Sequence, residues 1–385
     1  MFRMAVGHSD DVDPDDAIAT AIDQCRSGLG GLSPRAIVVV ASFPSFRPTM
    51  LAAVSAAFPG AAIVGATSAA EISSAEGFRE DSVSVTAFAS DVVDVTVGLG
   101  RGLETDLETA CRVAVAEALE ATEQPPRVCV VLTEAFVVDA QRTIDALAAA
   151  LPDDVVILGG GSARDRVREI RPTFQFRGNE VADDGVAILL FSGPLAVSVA
   201  IGTGWRTIGR RGVVTRARSG IIETIDDRPA LEFVSRLITP GPGLAANPLA
   251  VFEGPGDAFY LRTMLPIPDP PGAVLIMGSV REGLEVQLTT ATTDEILAGA
   301  KASIADALAG FPAAATPEGA LVFSCALRKS LLGSRTQVEA KLVRAALGVD
   351  VPVAGMYCFG EIGPVGEAGG SRILNETFVT LLLGT

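Results

Sequence analysis

The sequence predicts a two-part α/β protein whose mixed sheets come from repeated β-α-β units and hairpins. Three observations predict it. The order helix, strand, helix, strand, glycine loop, hairpin occurs twice between residues 13 and 204, so the N-terminal part reads as an internal duplication. Two apolar runs, Ala61 to Val64 and Val351 to Ala354, each empty into a glycine-containing loop with one glutamate. These loops are Gly65-Ala66-Thr67-Ser68-Ala69-Ala70-Glu71-Ile72 and Gly355-Met356-Tyr357-Cys358-Phe359-Gly360-Glu361-Ile362. A third β-α-β unit ends at the second of them. Ligands of open α/β folds bind beyond the carboxyl ends of the strands, so the two loops are expected to build one site from two halves.

Asp13-Pro14 opens the first helix, with Pro at its first position and Asp16 in its first turn. Ala17, Ile18, Ala21, Ile22 and Cys25 form its apolar stripe, and Gly28 to Gly31 end it. Ile37 to Ala41 is a β-branched run of the kind found in buried strands. A helix over Thr49 to Ala57, the strand Ala61 to Val64, and a hairpin of Ser82–Phe88 and Val92–Val97 follow. In the second copy, Leu107, Ala110, Cys111, Ala114, Val115 and Ala118 are spaced as a helical stripe. Then come a strand at Val128–Leu132, a helix at Asp139–Leu151, a strand at Val155–Leu158, Gly159-Gly160-Gly161-Ser162, and a hairpin of Val186–Phe191 and Leu195–Ile201.

Residues 226–247 read as a bridge with a short helix near Pro229–Ile238. Ala273–Met277 and Leu284–Thr289 read as a hairpin turned at Arg281-Glu282-Gly283. Thr292 with Glu295, and Thr336 with Glu339, have capping-box spacing for two further helices. Arg372 to Leu383 is the closing strand. Right-handed crossovers make the strands of each β-α-β unit parallel. The domains are expected at 1–217 and 218–385.

A chain of 385 residues with net charge −16 and three lysines among thirty basic residues is no candidate for nucleic acid, whose phosphates demand dense cationic charge. Five cysteines without CxxC spacing argue against a zinc ribbon and fit a reducing cytosol. No apolar h-region follows the N-terminus, so no signal peptide is expected. Gly185 to Trp205 carries no charge and has the length of a membrane span, but Ser192-Gly193-Pro194 at its middle favours two β-rich halves about a turn.

His8 is the single histidine, so Ser-His or Cys-His catalysis would have to recruit a residue near the N-terminus; a surface or cap place is its commoner fate. Cys325 and Arg328 share a Cys-x-x-Arg loop. Either the arginine lowers the thiol pKa for a Cys325-dependent transferase or hydrolase, or the thiol is a small buried hydrophobe. Arg328 has the planar donors of a carboxylate fork, facing Glu361, an anionic ligand, or a purely structural partner. Glu71 and Glu361 stand among apolar and glycine neighbours and each needs a partner: a ligand ammonium or hydroxyl, or backbone NH groups or an arginine. Gly159-Gly160-Gly161 lacks a phosphate-binding ending but permits close backbone approach, with Ser162 and Asp165 beside it. Ten of 27 arginines fall between Arg164 and Arg218, an anion site, a partner face or a solvated surface.

With these motifs in view the chain resembles the FIST proteins, which pair a FIST N-terminal with a FIST C-terminal region. The resemblance rests on Gly65 to Ile72, Gly159-Gly160-Gly161-Ser162-Ala163, Val214-Thr215-Arg216-Ala217 and Pro229-Ala230-Leu231-Glu232. In the C-terminal part it rests on Cys325-Ala326-Leu327-Arg328, Leu332-Gly333, Gly360-Glu361-Ile362 and Asn375-Glu376-Thr377. It departs at Ala70, where relatives commonly have glycine, and at Leu374, where they often have histidine. The resemblance implies a cytoplasmic sensory module of signal transduction that binds a small ligand such as an amino acid or related carboxylate. It also implies a separate signalling partner, a histidine kinase or cyclic-dinucleotide enzyme, and raises haem with nitric oxide sensing, with the single histidine His8, a cysteine or a tyrosine as the iron ligand. The ligand-binding residues expected are Thr67, Ser68, Glu71, Gly160, Ser162, Cys325, Arg328, Tyr357, Gly360, Glu361, Asn375 and Thr377, with no metal and no membrane or nucleic-acid partner. Asn375 and Thr377 are expected to support the others from behind.

Overall fold

The computed structural model describes residues 1–135, 140–164, 172–238, 242–254, 256–365 and 370–385. One pattern occurs three times. The first unit is β1 (Phe2–Ser9), α1 (Pro14–Leu29), β2 (Ala36–Ser42), α2 (Pro48–Ala57), β3 (Ala62–Ser68), β4 (Ala70–Ser73), β5 (Gly77–Arg79) and β6 (Val83–Ser90). The second is β7 (Asp94–Arg101), α3 (Leu103–Glu120), β8 (Pro126–Thr133), α4 (Ala140–Ala150), β9 (Val156–Gly161), β10 (Gln175–Arg177), β11 (Glu180–Ala182) and β12 (Gly185–Ser192). The third begins with β13 (Ala196–Gly202) and is interrupted by an insertion.

The insertion comprises β14 (Arg206–Arg218), β15 (Ile221–Ile225), β16 (Arg228–Pro229), α5 (Ala230–Ser235), β17 (Leu249–Phe252), β18 (Tyr260–Arg262), β19 (Met264–Pro266), β20 (Val274–Ile276) and β21 (Glu285–Thr290). It folds as its own eight-stranded sheet. The third unit then resumes with α6 (Thr293–Gly310), β22 (Gly319–Cys325), α7 (Ala326–Leu332), α8 (Gln337–Leu347), β23 (Val353–Cys358), β24 (Glu361–Pro364), β25 (Ser371–Leu374) and β26 (Phe378–Gly384).

The three sheets have one plan: β1-β6-β2-β3-β10-β11, β7-β12-β8-β9-β24-β25 and β13-β26-β22-β23-β4-β5. Each holds four strands of its own unit and a two-stranded ribbon donated by another. The donation runs in a circle, so the units are closed on one another about a pseudo-threefold axis. Within each, the pairs β2/β3, β8/β9 and β22/β23 are parallel, as the crossover rule requires. Mixed sheets and the N-terminal duplication are therefore present, and the repeat extends to the third unit.

Packing repeats with the topology. A Cβ on Gly7, Gly98 or Gly202 would come within about 2 Å of the carbonyl oxygen of Ala21, Ala114 or Gly299, so each unit seats its first helix directly on its first strand. The inner faces of all three sheets meet in one apolar core that includes Met4, Val64, Leu99, Val130, Leu189, Phe323, Met356 and Leu381. Helices cover each outer face: α1 and α2 on the first, α3 and α4 on the second, α6 and α8 on the third.

Several local expectations need correction. Ser82–Phe88 and Val92–Val97 do not pair with each other: β6 lies in the first sheet and β7 in the second. Likewise β12 lies in the second sheet while β13 pairs with β26 in the third, and β20 and β21 take different partners in the insertion. Short polar turns permit a sheet change as readily as a hairpin, and apolar strands buried on both faces carry no alternation to reveal the partner. The sequence carries no clear signal for β1 or for β14, β15 and β17 to β19 of the insertion, of which residues 226–247 read as a bridge.

Asp13 caps α1 through Asp15 and Asp16 N–H, and Thr292 with Glu295 forms a complete capping box on α6. Thr336 does not cap α8; its hydroxyl donates to the carbonyls of Lys329 and Gly333, and Glu339 turns inward. The uncharged stretch 185–205 is β12 and β13, and no helix among the described residues is long and apolar enough to cross a membrane. The arginines described between 206 and 218 lie on β14, at the surface, against acidic neighbours: Arg210 with Asp226, Arg211 with Asp257 and Glu285, Arg216 and Arg218 with Glu223. Asp139 and Asp165 lie outside the described residues.

Candidate functional site: buried carboxyl cradles at the strand ends

The carboxyl ends of β3, β9 and β23 converge on the pseudo-threefold axis. There a ring of three backbone hydrogen bonds links them: Ala69 N–H to Tyr357 O (2.9 Å), Ala163 N–H to Thr67 O (2.8 Å) and Phe359 N–H to Gly161 O (2.9 Å). Beyond each strand end lies a polar cradle at equivalent positions. Ser42 N–H donates to Ser82 O, Glu134 N–H to Gly185 O, and Cys325 N–H to Thr377 O.

In the first cradle Glu71 is fully buried and accepts from the hydroxyls of Ser42 (2.9 Å), Ser68 and Ser82. Burial pushes its carboxyl up to about 8, against the pull of those hydroxyls. Ser82 Oγ also meets His8 Nε2 at 2.9 Å, and His8 Nδ1 meets Ser73 Oγ at 2.8 Å. His8 is thus neither at the surface nor a cap. It is fully buried, its pKa is lowered to about 4 chiefly by burial, and both ring nitrogens face hydroxyls. Neither is open to an iron, so this histidine does not fit a haem.

In the third unit the three hydroxyls have become Cys325, Cys358 and Thr377. Ser42 pairs with Ser68 and Cys325 with Cys358 at the same register of their parallel strands. Glu361 accepts from Thr377 N–H (3.0 Å) and Thr377 Oγ1 (2.8 Å), with Cys358 Sγ at 3.5 Å. Burial pushes it up to about 7. Glu376 stands beside it in the turn between β25 and β26, at φ 58°. Its Oε1 accepts from Thr263 Oγ1 at 3.3 Å, whereas its buried Oε2 has no partner. Burial and the nearby Glu361 push this carboxyl up to about 8. Among the described residues neither carboxylate forms an ion pair. The thiols of Cys325 and Cys358 are held well above their ordinary pKa by burial and by Glu361, so neither is an activated thiolate.

The second cradle carries its own acid at the Ser42 position. Glu134 accepts from Ala135 N–H and Thr173 Oγ1, and Gln175 links Ser162 Oγ (2.9 Å) to Gly185 N–H (3.1 Å).

Of the twelve residues expected to form one site, the structure gathers Cys325, Gly360, Glu361, Asn375 and Thr377 around the third cradle. Ser68 and Glu71 lie in the first, Ser162 in the second. The partners of Glu71 and Glu361 have no residue in common. Thr67 is tied by N–H and hydroxyl to Phe174, while Asn375 Oδ1 accepts from Thr263 N–H (3.0 Å). Gly160 pairs opposite Glu361, and a Cβ there would sit 2.4 Å from Cys358 Sγ, so glycine lets β24 close over the thiol.

Arg328 faces neither glutamate of the loops. Its Nε (3.1 Å) and Nη2 (2.6 Å) donate to Glu339 Oε1, Nη2 also to Ile296 O, and Nη1 to Thr203 O and Glu376 O. Glu339 Oε2 accepts from Tyr357 (2.7 Å) and Ser324 (3.0 Å), which places Tyr357 in the same buried knot. Sequence reasoning missed Glu339 because its spacing from Thr336 matched a capping box. It missed Glu376, although the Asn-Glu-Thr turn was visible, and Thr263, which lies more than a hundred residues away.

Fold and site define a class: an α/β protein of three cyclically linked units with carboxyl cradles at their strand ends. The FIST N domain matches residues 35–228 and the FIST C domain residues 230–364, so the chain belongs to the FIST family, whose domains are sensory. An uncharacterised protein of Mycobacterium tuberculosis is 26% identical over 381 residues, covering 94% of this chain and 95% of its own. An uncharacterised protein of Mycobacterium bovis is 24% identical over 379 residues, with the same coverage. Two structures of cyanuric acid hydrolase, one from A. caulinodans, are 11% identical with TM-scores of 0.34 and 0.37 over 99% of each chain, a likeness too distant to carry an argument.

Proposed function

We propose that this protein is a cytoplasmic sensor that binds a small amino-acid-like ligand at the third cradle and signals to a separate partner, a histidine kinase or cyclic-dinucleotide enzyme. The observation that carries the reading is Glu376: a buried carboxyl with one oxygen unpartnered, beside a second buried carboxyl, with no cation among the described residues paired to either. Such a pair is costly unless something donates to it. A ligand ammonium does so. With Arg328 saturated by Glu339, the ligand is held by its amino end rather than by its carboxylate. The five unpaired cysteines accord with a reducing compartment.

Thr263 gives the signal a route. It belongs to the insertion and holds both Asn375 and Glu376, so filling the cradle pulls on the contact between the insertion and the third sheet. Thermal-shift titration with the common amino acids at pH 8.5, where both carboxyls are ionised, tests the proposal. A specific ligand at one hundred times its Kd stabilises by about 2.7 kcal/mol. Glu376→Gln should abolish that shift. A full screen without a stabiliser, or a shift that Glu376→Gln leaves intact, would remove the site.

A further inference from the structure

A cleft of about 560 Å³ lies where the first and second units meet, far in sequence from the third cradle. Its walls include Arg35, Asp94, Thr96, Glu117 and Arg177. That volume is in the range of small-molecule sites.

Hydrogen-bonding capacity in this cleft is asymmetric. The acids are committed: Asp94 accepts from Arg35 Nη1 (3.0 Å) and Thr122 Oγ1 (2.8 Å), and Glu117 accepts from Leu99 N–H (3.0 Å). The donors are not. Arg35 spends Nε on Ser90 O and Nη1 on Asp94, which leaves Nη2 without a described partner. Arg177 touches Glu117 only at 3.5 Å and forms no described hydrogen bond. Thr96 is 6% exposed, yet its buried hydroxyl has no partner.

The internal repeat sets the Thr96 hydroxyl apart by its lack of a partner. Thr96 pairs with Leu190 as Ala5 pairs with Ala87 and Ser198 with Leu382, so these three residues hold the equivalent strand position in the three units. The first unit fills it with a methyl group and the third with Ser198, and of the two hydroxyls that of Thr96 is the one buried without a partner. An unpaired buried hydroxyl is unfavourable, and Thr96 is isosteric with residues that would avoid it.

We infer that this cleft binds a small oxyanion, the carboxylate of a metabolite-sized acid, through Arg177, Arg35 Nη2 and the Thr96 hydroxyl. The guanidinium fork of Arg177 matches a carboxylate in plane. The site is separate from the third cradle and does not depend on it.

Calorimetric titration of the full chain with succinate, and in parallel with inorganic phosphate, at low ionic strength is the test. Saturable succinate binding is expected, weakened at least tenfold by Arg177→Gln and severalfold by Thr96→Val, with the far-ultraviolet circular dichroism of both variants unchanged. Arg177 is 38% exposed, so its loss leaves the fold in place. Absence of saturable binding, or binding that Arg177→Gln does not weaken, overturns the inference. Tighter phosphate binding with the same Arg177 dependence overturns the carboxylate assignment.

Discussion

Arg328→Ala strikes a fully buried ion pair of the third unit. Both side chains of the Arg328–Glu339 pair are wholly enclosed. Removal of the guanidinium strands the Glu339 carboxylate between Tyr357 and Ser324, and breaking a buried pair from one side costs about 3–5 kcal/mol. The carbonyls of Thr203, Ile296 and Glu376 also lose their donor, at roughly 1 kcal/mol each, which brings the total to roughly 6–8 kcal/mol. Against a whole-protein stability of about 5–15 kcal/mol, the variant should be close to unfolding. Urea denaturation reads this directly. The single tryptophan, Trp205, has its ring 5.9 Å from the Arg328 guanidinium and reports locally by fluorescence. Arg328→Met with Glu339→Leu should recover more than half of the loss, because the stranded charge goes with its partner. A single variant that loses less than about 1 kcal/mol, or a double variant as unstable as the sum of the two single ones, would refute the assignment of this pair as the anchor of α7 and α8.

Glu71 and Glu376, pushed up to about 8, and Glu361, to about 7, hold their protons in the fold where the unfolded chain has lost them. Their stabilisation is complete below the ordinary value of 4.5 and is lost as pH rises through 7 to 8. Glu376→Gln should therefore reduce the fall in stability between pH 5 and 7 by about 1.4 kcal/mol per pH unit, measured by denaturation at each pH; an unchanged slope contradicts it. All five thiols are buried and raised in pKa, so a thiol reagent at pH 7.5 should label none within minutes until denaturant is added. Rapid labelling of Cys325 in the native protein would restore a nucleophilic role for it.

Much was legible in the chain. The helix of α1 follows from Asp13-Pro14 and an apolar stripe, that of α6 from a Thr-x-x-Glu box, and the parallel pairs from β-branched runs separated by helices. These signals are local, written in spacing and in the chemistry of a few adjacent residues. The burial of Glu71 and Glu361 was also foreseeable, because a carboxyl among alanines and glycines has no water to face.

What the amino-acid order could not reveal is which edge each strand joins. Ser90-Asp91 reads as a hairpin turn, yet the chain there leaves the first sheet for the second, and only the closure of the three units decides it. The same closure gave Glu71 and Glu361 separate cradles rather than one, while the packing of α7 against α8 assigned Arg328 to Glu339 and the insertion brought Thr263 to Glu376. Side-chain periodicity records which face of an element is buried, while partner choice is settled by contacts between segments a hundred or more residues apart, whose energies exist only once the three units have closed on one another.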